Sequence, residues 1–382
     1  MIDVRQRLVA TDRVMVLAPH PDDESVATGG VLQLAVSSGA QIRVLYLTDG
    51  ENNPWAQRAT EGRWRISEAD QVRWGSRRRR EALDALECLG VAASEARFLG
   101  FPDQRVTEAL LGGTHAAVQR LAEEIEGWRP TVLFMPSLED RHPDHSGTAI
   151  MARLAMARAR WKEPPSVFAY VVHTSGAARA GRRDGACVLS GPEREAKRRA
   201  ILQHASQLRL RRRFLLHFAD EPEGFMCGPL APSVDDAAHP LRLLRATGDR
   251  WSFAVRNTLH VAVGRAALHL ISQGDGALGS LSATIPRGAG IRPLHRPGSA
   301  DVIGEVRAHG RGSWRVVTIA SPALCHAEFR LAKLDLAWRR SLGFFDGWPW
   351  LSFGVEHAQA APWVPQSSPA GSGERLVTAV ES

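Results

Sequence analysis

The stretch "VMVLAPHPDDESVATGG" (14–30) indicates the fold of the first half of the chain. It consists of an apolar run, an acidic turn and a second run of small and apolar residues. The unbroken run "VMVLAP" (14–19) is typical of a strand that is buried on both faces. A helix is predicted over 25–40, ending near Gly39, since many helices end in a glycine with left-handed backbone. A strand, a charged turn and a helix are therefore the first unit of a series.

Strand and helix patterns alternate over the first 205 residues. Further strands are predicted at "IRVLYLT" (42–48), "ARFLGF" (96–101), "TVLFMPS" (131–137) and "SVFAYVV" (166–172), and further helices over 77–90, 115–128, 147–160 and 193–207. Such alternation is typical of a parallel sheet covered by helices. The sequence therefore predicts an α/β fold, with a Rossmann-like parallel sheet that carries helices on both faces.

The second half of the chain has a different pattern. Segments with period-two alternation, separated by Gly- and Pro-containing turns, occur at 251–263, 301–308, 314–320 and 326–338. This pattern predicts a C-terminal β-rich, sandwich-like domain. We therefore divide the chain into a first domain (1–235), a β-rich accessory domain of unknown role (236–365) and a flexible tail (366–382).

Composition narrows the class of protein. The formal net charge is +7, but only three of the 48 basic residues are lysines, and the arginine runs lie in helical patterns, so a nucleic-acid partner is not expected. Four scattered cysteines exclude a disulfide scaffold. No apolar run is long enough to span a bilayer, and the first residues lack the apolar core of a signal peptide. We expect a cytoplasmic protein.

The turn "HPDDE" (20–24) has a simple structural explanation and a functional one. Proline suits the first turn of a helix, and carboxylates there complement the helix dipole, so Pro21 to Glu24 could serve only to begin the helix. That explanation does not account for His20 at the carboxyl end of the strand. On this turn alone, both explanations stay open.

A second cluster favours the functional explanation. "EDRHPDH" (139–145) also follows a buried strand and precedes a helix. Ligands of open α/β sheets bind outside the carboxyl ends of the strands, so the two clusters can meet at one edge. His20, Asp23 and His145 would then supply two nitrogens and one oxygen and leave one position open, which is typical of a catalytic zinc site.

Together with the turn "TDGE" (48–51), the motifs "PHPDDE" and "HPDH" resemble those of the PIG-L/LmbE family of zinc-dependent N-acetylglucosamine deacetylases. The resemblance covers about residues 10–210. It implies a metal-dependent hydrolase that removes the N-acetyl group from an N-acetylamino sugar in a glycoconjugate. It also implies Zn²⁺ as cofactor, with Fe²⁺ as the alternative.

The resemblance assigns roles to particular residues. His20, Asp23 and His145 match the zinc ligands of the family. Asp22 matches the general base that takes a proton from the attacking water. Protonated His142 would stabilise the oxyanion, and Asp144 would orient or tune His142.

Four further residues are candidates for substrate binding. Asp49 and Glu51 follow the second strand, Asp103 lies in "FPDQ", and Arg80 stands in an arginine run. Three of them have a plain alternative: a turn at the end of a strand explains Asp49 and Glu51, and a solvated helix face explains Arg80. The segment 53–75, with its tryptophans, could cover the site as a lid.

Other functions stay open at this stage. The same centre could hydrolyse another amide, in an acyl-amine or thiol conjugate. A non-catalytic, Arg-rich binding module is the alternative from another class. A dinucleotide site is disfavoured, because "APHPDDESVATGG" (18–30) lacks the GxGxxG fingerprint and its carboxylates would repel a pyrophosphate. The identity of the sugar and the oligomeric state, including a homo-oligomer, are not determined by the sequence.

Overall fold

The computed structural model describes most of the chain. It covers residues 1–173, 183–227, 239–258, 261, 266–274, 277–295, 300–310, 312–324, 329–336, 348 and 350–353. The predicted tail (366–382) lies outside the described residues. Among the described residues, no helix is long and apolar enough to cross a membrane.

An eight-stranded sheet forms the centre of the first half. Its strands are β1 (Ile2–Asp3), β2 (Arg13–Ala18), β3 (Gln41–Thr48), β4 (Ala96–Phe101), β5 (Val132–Pro136), β6 (Ser166–Tyr170), β7 (Gly185–Cys187) and β8 (Glu223–Cys227). Their order across the sheet is β1-β7-β8-β6-β5-β2-β3-β4. The five neighbouring strands β6, β5, β2, β3 and β4 are mutually parallel, as predicted. Strand β8, in contrast, is antiparallel to both β6 and β7.

In the part of the chain that the structure describes, seven helices cover the sheet. They are α1 (Asp23–Ser38), α2 (Pro54–Glu61), α3 (Glu68–Cys88), α4 (Val106–Trp128), α5 (Pro143–Arg158), α6 (Gly191–Gln203) and α7 (Ala205–Asp220). Alternate residues of β2 belong to two separate apolar clusters: Val14 and Val16 pack with α1, α3 and α6, and Met15 and Leu17 pack with α4 and α5. Strand β2 is thus buried on both faces, which confirms the predicted α/β fold.

Local breaks in the helices differ from the prediction. The single helix predicted over 193–207 is divided at His204, whose φ/ψ of −76°/52° is not helical. Its buried imidazole Nε2 lies 2.9 Å from Glu24 Oε1, a contact across 180 residues that overrides local helix propensity. The segment 53–75, which we proposed as a lid and for which we predicted no helix, contains α2 and the first turns of α3, which begins with a capping box of Ser67 and Asp70.

The second half contains two antiparallel sheets. The first consists of β9 (Leu241–Thr247), β10 (Arg250–Arg256), β13 (Gly290–His295), β14 (Val302–His309) and β15 (Trp314–Ala320), and the second of β11 (Ala266–Gly274), β12 (Ala277–Thr284), β16 (Phe329–Leu336) and β17 (Leu351–Phe353). Trp251 and Phe253 of the first sheet share one apolar cluster with Leu268 and Leu270 of the second. The two sheets therefore enclose a common core, and the β-rich, sandwich-like prediction is confirmed. The predicted domain boundaries stay predictions.

The second sheet packs against helix α4. Ile271, Leu331 and Trp350 belong to the apolar cluster of α4 and α5, and Ser280 Oγ donates a hydrogen bond of 2.8 Å to the Leu111 carbonyl. The buried Trp350 is therefore a core residue of this contact.

A buried ion pair connects β8 to α1 and α6. Lys197 Nζ lies 2.6 Å from Glu223 Oε1, and both side chains are about 1% exposed. The same carboxylate accepts hydrogen bonds from the Gly30 and Val31 N–H groups at 2.6 and 3.0 Å. The pair therefore joins three elements beneath one face of the sheet.

We expect Lys197→Met to lower the free energy of unfolding by about 3–5 kcal/mol, because Glu223 then stays buried without its cation. Urea denaturation checks this value. Arg199→Met, an exposed position on the same helix, should change the free energy by less than about 0.5 kcal/mol. Adding Glu223→Gln to Lys197→Met should recover part of the loss. If Lys197→Met and Arg199→Met lowered the free energy of unfolding equally, the ion pair would contribute nothing to stability.

Candidate metal centre

The two His/Asp clusters meet at one edge of the sheet. His20 lies in the turn between β2 and α1, and His142 and His145 lie at the start of α5, which follows β5. Strands β2 and β5 are neighbours with parallel register, so both turns leave the same edge. The His20 ring centroid is 4.6 Å from that of His142 and 5.3 Å from that of His145.

Three potential ligand atoms surround one point. Asp23 Oδ2 lies 3.3 Å from His20 Nδ1 and 3.2 Å from His145 Nε2. Two ligands of one tetrahedral zinc ion, bound at about 2.0–2.1 Å, stand about 3.3–3.4 Å apart. These two distances therefore match what an ion shared by Asp23 and each imidazole requires.

The surroundings of His145 also fit a bound cation. Among the described residues, neither of its buried ring nitrogens makes a hydrogen bond of acceptable geometry. Burial opposes protonation, but Asp140 and Asp23 outweigh it and raise the pKa of His145 to about 10, so this position favours positive charge. Buried polar groups are nearly always satisfied, and a metal ion would satisfy Nε2.

The exact ligand set stays a prediction. Three groups of residues can each bring one ligand atom per residue within 4.8 Å of one another: His20, His142 and His145; Asp140, His145 and His173; and His20, Asp103 and Asp144. The predicted set shares two histidines with the first group and takes Asp23 in place of His142.

Asp22 has an unusual backbone and a perturbed carboxyl group. Its φ of 146° lies in a region that side-chain-bearing residues rarely adopt, and such strain is concentrated at functional sites. The Asp22 N–H donates to Glu24 Oε2 at 3.0 Å, and its carbonyl accepts from the Val26 N–H at 3.0 Å, which fixes the turn. Burial raises the pKa of the Asp22 carboxyl to about 6, against the attraction of Arg78. Asp22 lines the cavity beside Asp23.

Asp23 itself is held ionised. Burial opposes its ionisation, but the imidazoles of His145 and His20 outweigh it and hold the pKa of Asp23 well below its usual range. Adjacent carboxyl groups therefore have opposite pKa shifts, which is the arrangement in which one carboxylate binds a cation and its neighbour can exchange a proton.

The protonation state of His142 follows from its contacts. Its Nδ1 accepts a hydrogen bond of 3.2 Å from the Asp144 N–H, so in the neutral ring the proton is on Nε2. Burial, followed by the His20 and His145 rings, lowers the pKa of His142 well below its ordinary value. The sequence led us to expect a protonated ring, whereas this environment favours a neutral ring that can donate from Nε2.

Asp144 is anchored by the start of α4. Its carboxylate accepts the Gln104 N–H at 2.6 Å and the Val106 N–H at 3.0 Å, and Oδ2 lies 3.2 Å from His20 Nε2. The carboxylate therefore fixes the His20 ring, and the Asp144 backbone N–H fixes His142. The predicted tuning of His142 by the Asp144 side chain stays a prediction.

The four substrate-binding candidates lie at different places. Asp103 lines the cavity, with Oδ1 3.3 Å from His20 Nε2, and its N–H donates to Glu51 Oε1 at 2.8 Å. Asp49 pairs with Arg79 at 2.6 Å, and Arg80 is exposed on α3. The structure thus brings Asp103 to the cavity, with Glu51 behind it, and places Asp49 and Arg80 outside the cavity lining.

Sequence reasoning missed Arg78. This buried side chain donates to the Pro21 and Gly50 carbonyls at 2.7 and 3.0 Å, and its Nη2 lies 3.4 Å from Asp22 Oδ1. Gly50 has φ +65°, and a Cβ there would lie 2.0 Å from the guanidinium, so only glycine fits. Arg78 lies on the buried face of α3, four residues before the buried Ala82. Within the run "RRRR" (77–80), the sequence did not distinguish it from its more exposed neighbours.

Asp140 was also missed. Its carboxylate lies 3.1 Å from His145 Nδ1 and 3.3 Å from His173 Nδ1, and it accepts N–H groups of His142, Val172 and His173 at 2.8–3.1 Å. Metal-binding histidines commonly have such a carboxylate on their second nitrogen. The residue stands in the quoted motif "EDRHPDH", two positions before its first histidine, which was the available signal.

A cavity opens above these residues. Its lining contains three sets of residues. The first belongs to the acidic and histidine clusters (His20, Asp22, Asp23, Asp103 and His142), the second surrounds them (Asn53, Arg78, Gln104 and His173), and the third lies on α7 (Gln207, Arg211, Phe214 and Leu215).

The predicted lid contains three tryptophans. Trp74 is fully buried, whereas Trp55 and Trp64 are exposed, and the Arg58 guanidinium lies over both of their rings.

Comparison with protein families identifies this region. Residues 15–159 match the family model described as "PIG-L: GlcNAc-PI de-N-acetylase". This part of the chain is therefore similar to the PIG-L family. The match includes both His/Asp clusters, so the resemblance seen in the sequence is confirmed.

Curated relatives and solved structures each resemble part of the chain. A 1D-myo-inositol 2-acetamido-2-deoxy-alpha-D-glucopyranoside deacetylase of Mycolicibacterium gilvum is 30% identical in an alignment of 190 residues. The alignment covers 45% of this chain and 63% of the relative, so the chain spans less than two thirds of that protein. A probable N-acetyl-alpha-D-glucosaminyl L-malate deacetylase 2 of Bacillus cereus is 26% identical over 45% of this chain and 73% of the relative. The N,N'-diacetylchitobiose deacetylase from Pyrococcus horikoshii superposes with a TM-score of 0.44 at 19% identity, covering 57% of this chain and 84% of that one.

We expect Asp140→Asn to weaken zinc binding by about 10- to 100-fold, because a neutral amide beside Nδ1 orients the His145 ring less strongly than the carboxylate and supplies no negative charge. Competition with a chromophoric chelator measures the affinity. Glu139→Gln, an exposed neighbour, is the matched control and should bind zinc like the native protein. Thermal unfolding of the metal-free variants shows whether both fold. A folded Asp140→Asn variant with native affinity would contradict the positioning role.

Proposed function

We propose that the protein is a metal-dependent hydrolase that removes the N-acetyl group from a GlcNAc-type amino sugar in a glycoconjugate. The observation that carries the proposal is the partly buried Asp22 carboxyl beside the Asp23, His20 and His145 cluster, in a cavity of the region that is similar to the PIG-L family. The names of the relatives, which are deacetylases of N-acetylated glucosamine conjugates, support the same chemistry.

His20, Asp23 and His145 would hold the metal ion, with Zn²⁺ as the proposed ion and Fe²⁺ as the alternative. When bound, such an ion lowers the pKa of a coordinated water from about 15.7 to about 7 and polarises the acetamide carbonyl. The donor set of two imidazoles and one carboxylate is typical of catalytic zinc sites, which keep a position open.

Asp22 would take the proton of the attacking water. Its carboxyl lines the cavity next to Asp23, and a pKa of about 6 leaves it largely ionised at neutral pH yet able to hold a proton. The protonated carboxyl can then deliver that proton to the leaving amine. One residue thereby serves as base and then as acid.

His142 would stabilise the oxyanion that forms on the acetyl group. Because Nδ1 accepts the Asp144 N–H, the proton of the neutral ring is on Nε2, which can donate it. A preorganised donor of this kind costs no reorganisation when the charge develops. The polar lining from Asn53, Asp103 and Gln207 supplies groups that can bind sugar hydroxyls.

We expect Asp22→Asn to lower kcat by about 10²- to 10⁴-fold while zinc stays bound, since an amide cannot accept the proton. Release of primary amine from a panel of N-acetylglucosaminyl conjugates measures turnover, and metal analysis measures occupancy. Asp84→Asn, an exposed carboxyl-to-amide change on α3, is the matched control. Turnover of Asp22→Asn at the native rate would exclude Asp22 as the base.

We expect metal removal to abolish turnover reversibly. Dialysis against a chelator should stop amine release, and stoichiometric Zn²⁺ or Fe²⁺ should restore it, with the relative rates showing which ion serves better. His145→Ala should lose both metal and turnover, because it removes a ligand. A metal-free protein that still releases acetate would contradict the proposed function, and release of amine only from non-sugar amides would assign the centre to another acyl-amine substrate.

A further inference from the structure

Helix α7 places an arginine at the mouth of the cavity. The helix is kinked at Arg211, whose φ/ψ of −129°/23° is not helical. Arg211, Phe214 and Leu215 all line the cavity that contains Asp22 and Asp23. Neither the metal cluster nor the proposed chemistry uses these α7 side chains.

The position of the Arg211 guanidinium is supported by an aromatic ring. Its central carbon lies 4.4 Å from the centroid of the Phe214 ring, and that ring stacks on His173 at 6.2 Å. A guanidinium over an aromatic face keeps its charge and its planar set of donors. Arg211 is nevertheless exposed, so a ligand that enters the cavity can reach it.

The other arginines nearby differ from Arg211. Arg78, which also lines the cavity, is buried and directs its donors to the Pro21 and Gly50 carbonyls. Arg212 and Arg213 are exposed on α7 and are not among the residues that line the cavity. Of the two arginines that the structure shows in the lining of this cavity, Arg211 is therefore the exposed one, at the mouth.

The charges of the cavity define where a negative substrate group can lie. The inner part carries the Asp22, Asp23 and Asp103 carboxylates, which repel a negative group of the substrate. Only the oxyanion of the reacting acetyl group would be stabilised there, by the metal ion and His142. The acetamide must lie at this inner end for hydrolysis, so the remainder of the conjugate extends towards the mouth. A negative group on that remainder meets Arg211.

We propose that Arg211 binds a negatively charged group, a carboxylate or a phosphate, on the aglycone of the substrate, so that the enzyme prefers acidic conjugates of the amino sugar. This inference rests on the proposed function. The planar guanidinium matches both oxyanions through two parallel hydrogen bonds, a geometry that a lysine does not reproduce.

Matched pairs of substrates test the inference. One pair is a carboxyalkyl N-acetylglucosaminide and its methyl ester, and the second is a phosphoalkyl N-acetylglucosaminide and its uncharged hydroxyalkyl counterpart. We expect Arg211→Gln to raise KM about 10-fold or more for an acidic member relative to its neutral partner, with the loss in KM rather than kcat. Comparison of the two pairs distinguishes a carboxylate from a phosphate.

Control variants separate this role from a general effect of charge. Arg212→Gln removes the same charge one residue away and should leave the ratio of acidic to neutral KM at its native value. Arg211→Lys should restore part of the preference, as a point charge without the planar fork. Equal KM ratios in native protein and Arg211→Gln, or the same shift in Arg212→Gln, would overturn the inference.

Failure of the proposed function would be recognised separately. If zinc-loaded native protein turns over neither member of a pair, the deacetylase proposal fails, and calorimetric binding of the same conjugates decides about Arg211. Weaker binding of the acidic conjugate by Arg211→Gln than by the native protein would still support the anion site. Equal binding by both proteins would overturn it.

Discussion

The parallel pairing of β2 with β5 is the constraint on which the site depends. Val14 pairs with Val132 and Val16 with Phe134, so both strands end at the same edge, and the turns that follow them carry the two His/Asp clusters. The pairing is itself stabilised by burial on both faces, with alternate β2 side chains in two apolar clusters. A change of one residue in this register would move one cluster by about 3.3 Å, more than a metal bond length.

Buried charge at this edge is balanced by a polar network rather than by solvent. Asp23 lies between two imidazoles, Asp140 holds the second nitrogen of His145, and Arg78 fixes the turn that contains the strained Asp22. Removing one member of such a network leaves its partner buried and unsatisfied, which costs more than the bond itself contributes. The strain at Asp22 is maintained because the surrounding contacts hold the turn on both sides.

The sequence could predict what is local or repeated, and the long-range supports escaped it. The alternating apolar runs predicted the α/β order, and two short motifs predicted that His20, Asp23 and His145 would converge. Arg78 and Asp140 were missed because their role comes from carbonyls and rings brought close only by folding. The break at His204 has the same cause, since its partner Glu24 is 180 residues away. A single sequence can place such residues in a motif or on a helix face, but it does not show which distant groups they contact.

Helix α4 physically connects the C-terminal sheets to the candidate metal centre. The Gln104 and Val106 N–H groups, just before and at its start, hold the Asp144 carboxylate, and the Leu111 carbonyl, five residues on, accepts Ser280 Oγ from the second sheet. Five residues of helix span about 7.5 Å. The contact with Asp144 and the contact with Ser280 therefore both lie within the first two turns of α4. Trp350 and Ile271 bury apolar surface in the cluster that includes the same helix. The sandwich therefore restricts the position of α4, and through it the carboxylate that orients His20.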